Sequence, residues 1–210
     1  MPCRPTGETH VRTPEQLLFL PGASGNKAFW RPLADRLATP AARRFVGYPG
    51  FGGEPPDPAV ASIDAIVQRV LAMLDRPTAL IAQSMGGVIA MRAALEKPRF
   101  VTHLVLSVTS GGIDTAALGA QNWRAGDTSA FPEWFVSFHT DLSNQIASIT
   151  QPALLLWGDN DPLSPVAVGE RLNALLAYST LHVVRGGEHD LASVHAQALA
   201  PLVDAHLTAG

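Results

Sequence analysis

Six short apolar runs alternate with stretches of helical periodicity along the chain, and this alternation restricts the fold more than any other feature. The runs cover residues 16–20, 44–48, 78–82, 103–108, 153–157 and 180–184. They are continuously apolar, without in-and-out alternation, which predicts strands covered on both faces, as in a parallel sheet. Helical patterns lie between them at 28–37, 63–74, 86–96, 165–176 and 191–207. In the second, Ile63, Ile66, Val67, Val70, Leu71 and Leu74 recur at the spacing of one buried helix face, with Ser62 or Asp64 available as a cap. The expected architecture is α/β, with helices on both sides of a mostly parallel, doubly wound sheet of about six strands. Glycine and proline close the strands, at Pro21-Gly22, Pro49-Gly50, Gly86-Gly87, Gly111-Gly112, Gly158 and Gly186-Gly187. Loops at the carboxyl ends of such strands are where open sheets bind ligands.

With 210 residues, 47% of them apolar and 16% charged, the chain is expected to form one domain, 1–210, with a full core. The net charge of −3, with no basic run beyond Arg43-Arg44, argues against nucleic acid and anionic membrane surfaces as partners. A single cysteine, Cys3, excludes a disulfide framework within the chain and lies far from any motif. Arg4, Glu8, His10, Arg12 and Glu15 leave no room for the apolar stretch of a signal peptide. No run reaches the ~18 apolar residues of a membrane span, so a cytoplasmic, membrane-free protein is expected.

Residues 113–151 interrupt the alternation. They carry Trp123, Phe131, Trp134, Phe135 and Phe138 among Gly, Asp and Ser, and the spacing over 131–142 predicts an amphipathic helix. A segment this long is read as a small helical cap or lid over the strand ends. Trp123, Phe131, Trp134 and Phe138 then become candidates to line a substrate pocket. A helix packed on the flank of the sheet is the plainer alternative.

The third apolar run continues into Ala82-Gln83-Ser84-Met85-Gly86-Gly87 and then into a helical stretch. A strand-to-helix turn of this kind forces its serine into a strained conformation with the hydroxyl exposed, and requires small flanking residues where strand and helix backbones nearly touch. Ala82 and Gly86 meet that requirement. A serine hydroxyl becomes a nucleophile only when a base, usually a histidine held by a carboxylate, can take its proton. Downstream, Gly158-Asp159-Asn160-Asp161-Pro162 offers two acids, and Gly186-Gly187-Glu188-His189 offers a histidine in a glycine-bracketed loop. The remaining histidines, His10, His103, His139, His182, His195 and His206, occupy positions better suited to structural or surface roles.

Four segments, in order, resemble the α/β-hydrolase superfamily, in particular its soluble esterases and lactonases. They are Leu20-Pro21-Gly22-Ala23-Ser24-Gly25, Tyr48-Pro49-Gly50-Phe51-Gly52, Gln83-Ser84-Met85-Gly86-Gly87, and Gly158-x-x-Asp161 with Gly187-x-His189. The resemblance runs from about residue 16 to the C-terminus. It implies Ser84 as nucleophile, Asp161 as the acid, His189 as the base, and Asp159 as a turn residue bonding local backbone N–H groups. The backbone N–H groups of Ala23 and Met85 would form the oxyanion hole, the latter at a helix N-terminus. Three features depart from the pattern. Pro21-Gly22 stands where many members have His-Gly, so a supporting hydrogen bond is expected to be missing. Gly47 replaces the usual Asp, and the stretch before residue 16 is too short for the usual antiparallel strand pair.

The implied function is a serine hydrolase acting on a small carboxylic ester, thioester or lactone through an acyl-enzyme. The same constellation serves carbon–carbon bond hydrolases, acyltransferases and lyase-type synthases, and a hydrolase-like scaffold can also persist as a non-catalytic ligand receptor. No metal-ligand spacing, phosphate loop or nucleotide fingerprint occurs, so no cofactor and no metal are expected. The expected partner is a small-molecule substrate, and the oligomeric state is left open.

Overall fold

The computed structural model describes residues 12–209, so Cys3 and His10 lie outside the described residues. Six strands, β1 (Gln16–Leu20), β2 (Ala42–Phe45), β3 (Thr78–Gln83), β4 (Val101–Ser107), β5 (Ala153–Gly158) and β6 (Ser179–Val184), form one sheet in the order β2-β1-β3-β4-β5-β6. Every pairing in it is parallel. Among the described residues the α-helices are α1 (Arg31–Ala34), α2 (Ile63–Leu71), α3 (Met85–Glu96), α4 (Glu133–Val136), α5 (Val166–Leu175), α6 (Leu191–Val194) and α7 (Ala196–Thr208). Helices α2 and α3 pack together, as do α1, α6 and α7. Right-handed crossovers, the rule for parallel strands, put these two groups on opposite faces of the sheet, so the central strands are buried. Every residue of β1, β3, β4 and β5 is buried.

The chain winds from β1 outward to β2, then back past β1 to β3 and on to β6. The sheet therefore reverses its winding between β1 and β3, the position at whose carboxyl-end loops open sheets of this kind bind ligands. The loop after β1 carries Ala23, and the turn after β3 carries Ser84.

Local chemistry explains where the elements differ from their sequence patterns. Strand β2 pairs with β1 from Ala42 to Phe45 and not over 44–48, because the register Phe19↔Phe45 stacks the two rings at 4.9 Å. Arg43 and Arg44 are exposed on this edge strand, where charge discourages pairing with another chain. The pattern over 28–37 divides into a 3₁₀ turn, Lys27–Trp30, and the single turn of α1. Asn26 caps the first, and Pro32, which has no N–H to donate, prevents one continuous helix. Ser62 caps α2 by accepting from Ala65 N–H at 3.2 Å. The last pattern divides at His195 into α6 and α7.

The largest departure lies in 131–142, where the amphipathic pattern yields only α4. Pro132 starts that turn, and the Ser137 hydroxyl ends it by donating to Glu133 O at 3.1 Å and Trp134 O at 3.3 Å. The Arg124 guanidinium then takes up Val136 O and Phe138 O at 2.7 and 2.6 Å, carbonyls that a longer helix would use internally. Among the described residues, no helix is long and apolar enough to cross a membrane.

Candidate active site

Ser84 is the one residue between β3 and α3, with φ 52° and ψ −120°. A non-glycine residue at such a φ stores about 1–3 kcal/mol of strain and persists only where its surroundings enforce it. Here Ser84 N–H donates to Ser107 O on β4 at 3.0 Å, and the buried Thr109 hydroxyl donates to Ser84 O at 2.6 Å. The same hydroxyl accepts from Gly111 N–H at 3.0 Å, which locks its orientation. The start of α3 lies so close to β1 that a Cβ on Gly86 would sit 2.5 Å from Leu20 O. Any side chain there would push the helix off the sheet. Thr109 was not singled out by the sequence, since nothing local marks a threonine two residues past a strand as the anchor of a distant turn.

The loops that carry Asp161 and His189 meet at glycine. A Cβ on Gly158 would be driven into the carbonyl oxygen of Gly187, so the loops after β5 and β6 pass each other at backbone contact. Asn160 N–H donates to Gly187 O at 3.0 Å across this crossing. The Asp161 side chain is fully buried, and its Oδ2 lies 2.8 Å from His189 Nδ1. Its Oδ1 accepts from Leu163 N–H at 2.9 Å and Ser164 N–H at 3.3 Å, so both oxygens are occupied. Asp159 is exposed, and its Oδ1 accepts from Gly186 N–H at 2.5 Å. Of the two acids in the loop, Asp161 is the one that meets the histidine.

Gln83 ties this pair to the Ser84 turn. Its Nε2 donates to His189 O at 3.1 Å, so the residue before Ser84 holds the His189 loop. Gln83 is buried, and its role was not legible as a site residue from sequence. Ser84 and His189 are both half-buried, and among the described residues no hydrogen bond joins their side chains. The N–H groups of Ala23 and Met85 likewise have no protein acceptor among the described residues. An open depression lined by Asp159, Asn160, Asp161, Pro162, Leu163, Glu188 and His189 follows the outer side of the acid–base pair.

The aromatic residues of 113–151 pack mainly on one another and on the loop after β2. Phe135, buried, lies 5.3 Å from Phe51, 5.2 Å from Trp123 and 5.8 Å from Phe131, measured between ring centroids. Trp134 meets Phe51 edge-on at 5.8 Å. Arg124 lies over Trp123 at 4.4 Å, and burial lowers its pKa. Trp123, Phe131, Trp134 and Phe138 are half-buried, and none of them lines the depression beside His189. Gln121 N–H donates to Pro162 O at 2.8 Å, so the segment reaches from the β2 loop to the Asp161 loop. His103 and His206 pack against each other away from these loops. Among the described residues, no three His, Cys, Asp or Glu side chains converge to hold a metal ion.

The sheet order, with a strained serine turn at its switch point, defines the α/β-hydrolase architecture. Residues 17–144 match the profile of the alpha/beta hydrolase family, and the chain belongs to that family. A pimeloyl-[acyl-carrier protein] methyl ester esterase from Aliivibrio salmonicida is 24% identical over 82% of this chain and 84% of its own. An esterase of the same name from Neisseria meningitidis is 23% identical over 90% of this chain and 91% of its own. Among solved structures, a carboxylesterase from Bacillus subtilis superposes with a TM-score of 0.73 at 17% identity, covering 94% of this chain and 85% of its own. A meta-cleavage product hydrolase from Pseudomonas fluorescens also superposes at 0.73, with 19% identity over 92% of this chain and 90% of its own. These two superpositions share the fold and carry different chemistries.

Proposed function

We propose that the chain is a serine hydrolase of small carboxylic esters, with Ser84 as nucleophile, His189 as base, Asp161 as the acid that orients it, and Ala23 and Met85 as oxyanion donors. One observation carries the reading. The strained Ser84 turn and the His189–Asp161 pair, distant in sequence, are joined through Gln83 at the switch point of the sheet. Methyl ester hydrolysis by the relatives from Aliivibrio and Neisseria supports an ester as substrate.

In this mechanism His189 Nδ1–H donates to Asp161 Oδ2, which leaves Nε2 as the acceptor facing Ser84. Nε2 takes the hydroxyl proton as Ser84 Oγ bonds to the ester carbonyl carbon. The carbonyl π pair moves onto oxygen, where the Ala23 and Met85 N–H groups stabilise it. Collapse expels the alcohol, protonated by His189, and leaves an acyl-Ser84. Water, deprotonated by His189, then releases the acid and regenerates the serine.

The 113–151 segment acts as a cap in this reading, reaching from the loop after β2, where Trp134 meets Phe51, to the Asp161 loop, where Gln121 N–H donates to Pro162 O. Asp114, Asp127, Glu133 and Asp141 outnumber its single cation, and Arg124 is turned inward onto Val136 O and Phe138 O. That surface favours a free, uncharged ester over an acyl group borne on an anionic carrier.

A fluorophosphonate should label Ser84, and hydrolysis of p-nitrophenyl butyrate should disappear in Ser84→Ala with folding unchanged. Turnover of the ester by Ser84→Ala at the wild-type rate would overturn the assignment. Absence of both labelling and turnover in the wild type would remove the esterase reading altogether.

A further inference from the structure

The loop that carries Ala23 has no histidine to hold it, yet its carbonyls are occupied. Trp30 Nε1–H donates to Leu20 O at 3.0 Å, and the Tyr48 hydroxyl donates to Pro21 O at 3.2 Å. Both aromatic side chains are 1% exposed and come from elsewhere in the chain. These same two carbonyls face the start of α3, where a Cβ on Gly86 would lie 2.5 Å from Leu20 O and 2.6 Å from Pro21 O. One carbonyl, Pro21 O, is therefore held between the Tyr48 hydroxyl and the helix turn that begins with Met85. The far end of the loop is fixed separately, where Gly25 and Gly52 meet backbone to backbone. Ala23 N–H lies between the two anchors.

We infer that Tyr48 is a positioning residue for the oxyanion hole. Its hydroxyl fixes the Pro21–Gly22 peptide, and Gly25 N–H, donating to Gly22 O at 3.0 Å, holds the next one, so the two bonds together set where Ala23 N–H points relative to Met85 N–H. The inference rests on the ester-hydrolase reading. The physical reasoning is direct. A buried phenol left without a partner costs free energy, so its bond to Pro21 O is maintained. Burial also raises the pKa of Tyr48 well above its ordinary value, so the hydroxyl remains a donor throughout the working range of a histidine base. The Tyr48 ring packs edge-on against Phe51 at 6.2 Å, and this contact survives removal of the hydroxyl.

The test is Tyr48→Phe, assayed beside wild type with p-nitrophenyl butyrate and with an alkyl boronic acid, whose tetrahedral adduct places an oxygen at the oxyanion position. Complete loss of an oxyanion donor costs about 10²–10³-fold, so misdirecting one should lower kcat about tenfold. KM should stay within about twofold, and the boronate inhibition constant should rise in step with the fall in kcat. A purely structural role would instead lower the melting temperature while leaving kcat and boronate affinity of the folded fraction unchanged. That result, or a kcat within twofold of wild type, overturns the inference. Tyr48→Leu, which removes ring and hydroxyl together, separates packing from positioning. It should match the kcat of Tyr48→Phe while losing more stability, and a Tyr48→Leu kcat well below that of Tyr48→Phe would assign the effect to the ring. If wild type neither hydrolyses esters nor reacts with fluorophosphonate, the ester-hydrolase reading fails and the Tyr48 role falls with it. If wild type is active and Tyr48→Phe equals it, only the Tyr48 role falls.

Discussion

Acid should destabilise this protein through one half-buried histidine, and the size of the effect follows from its surroundings. His206 on α7 packs edge-on against His103 of β4 at 5.2 Å between ring centroids, and its Nε2 lies 3.0 Å from Leu104 O. Burial, then the proximity of His103, lowers its pKa from 6.5 to about 4, outweighing the opposing pull of the carbonyls of Leu104 and Pro152. Burial lowers the pKa of His103 as well. A base with a depressed folded pKa is neutral in the native state, while the unfolded chain takes up its proton from pH 6.5 downward. The stabilisation is therefore complete above pH 6.5, is lost as pH falls toward 4, and is constant below that. Linkage with 6.5 and about 4 as the end points gives a loss of about 1 kcal/mol at pH 5.5 and about 2–3 kcal/mol at pH 4.5. Urea unfolding of wild type and His206→Gln at pH 7.5, 5.5 and 4.5 measures this directly. The substitution lowers stability by a constant packing cost and removes the titrating group, so the gap between the two proteins should narrow by those amounts on acidification. A gap independent of pH would refute the reasoning, as would a His206 ring that titrates near 6.5 by NMR.

Asp161→Asn should lower kcat by more than about 10³-fold, because the amide no longer holds the histidine in the required tautomer. Asp159→Asn should stay within about threefold of wild type, and a steady-state assay of the pair would reverse the assignment if the ranking were opposite. Asp204 on α7 accepts from Ala38 N–H at 2.8 Å, Thr39 N–H at 2.9 Å and the Thr39 hydroxyl at 2.6 Å. Asp204→Ala should cost about 2–3 kcal/mol in urea unfolding and leave kcat unchanged, since it removes charge-assisted bonds far from Ser84.

The parts of the site that were legible in the sequence are those set by short segments. Ser84 was visible because a tight strand-to-helix turn demands small neighbours at Ala82 and Gly86, and a run of six residues displays that demand. His189 was visible because glycine brackets it immediately after an apolar run. The choice between Asp159 and Asp161 needed the resemblance to known hydrolases, since both acids occupy the same turn. In the structure, Asp159 bonds Gly186 N–H and Asp161 bonds His189. Pro21 stands where a histidine would help hold this loop, and its carbonyl is held from outside the segment. The Tyr48 hydroxyl that holds Pro21 O comes from another loop, and neither residue announces the other. The helix pattern over 131–142 was real as an apolar stripe, but Phe135 and Trp134 pack through a single turn, with Arg124 claiming the carbonyls beyond it.

By itself the sequence determined the parallel sheet, the approximate position of its strands and the turn at Ser84. These depend on apolar continuity, helix periodicity and the sterics of adjacent residues, all of which act over a few positions. Only the tertiary structure decided which carboxylate meets His189, which side chains enforce the strained serine, and how the loop of Ala23 is held. Those outcomes depend on hydrogen bonds from Gln83, Thr109 and Tyr48 to backbone groups far away in the chain. A buried polar group must find a partner, but which partner it finds is set by the packing of the sheet and not by its neighbours in sequence.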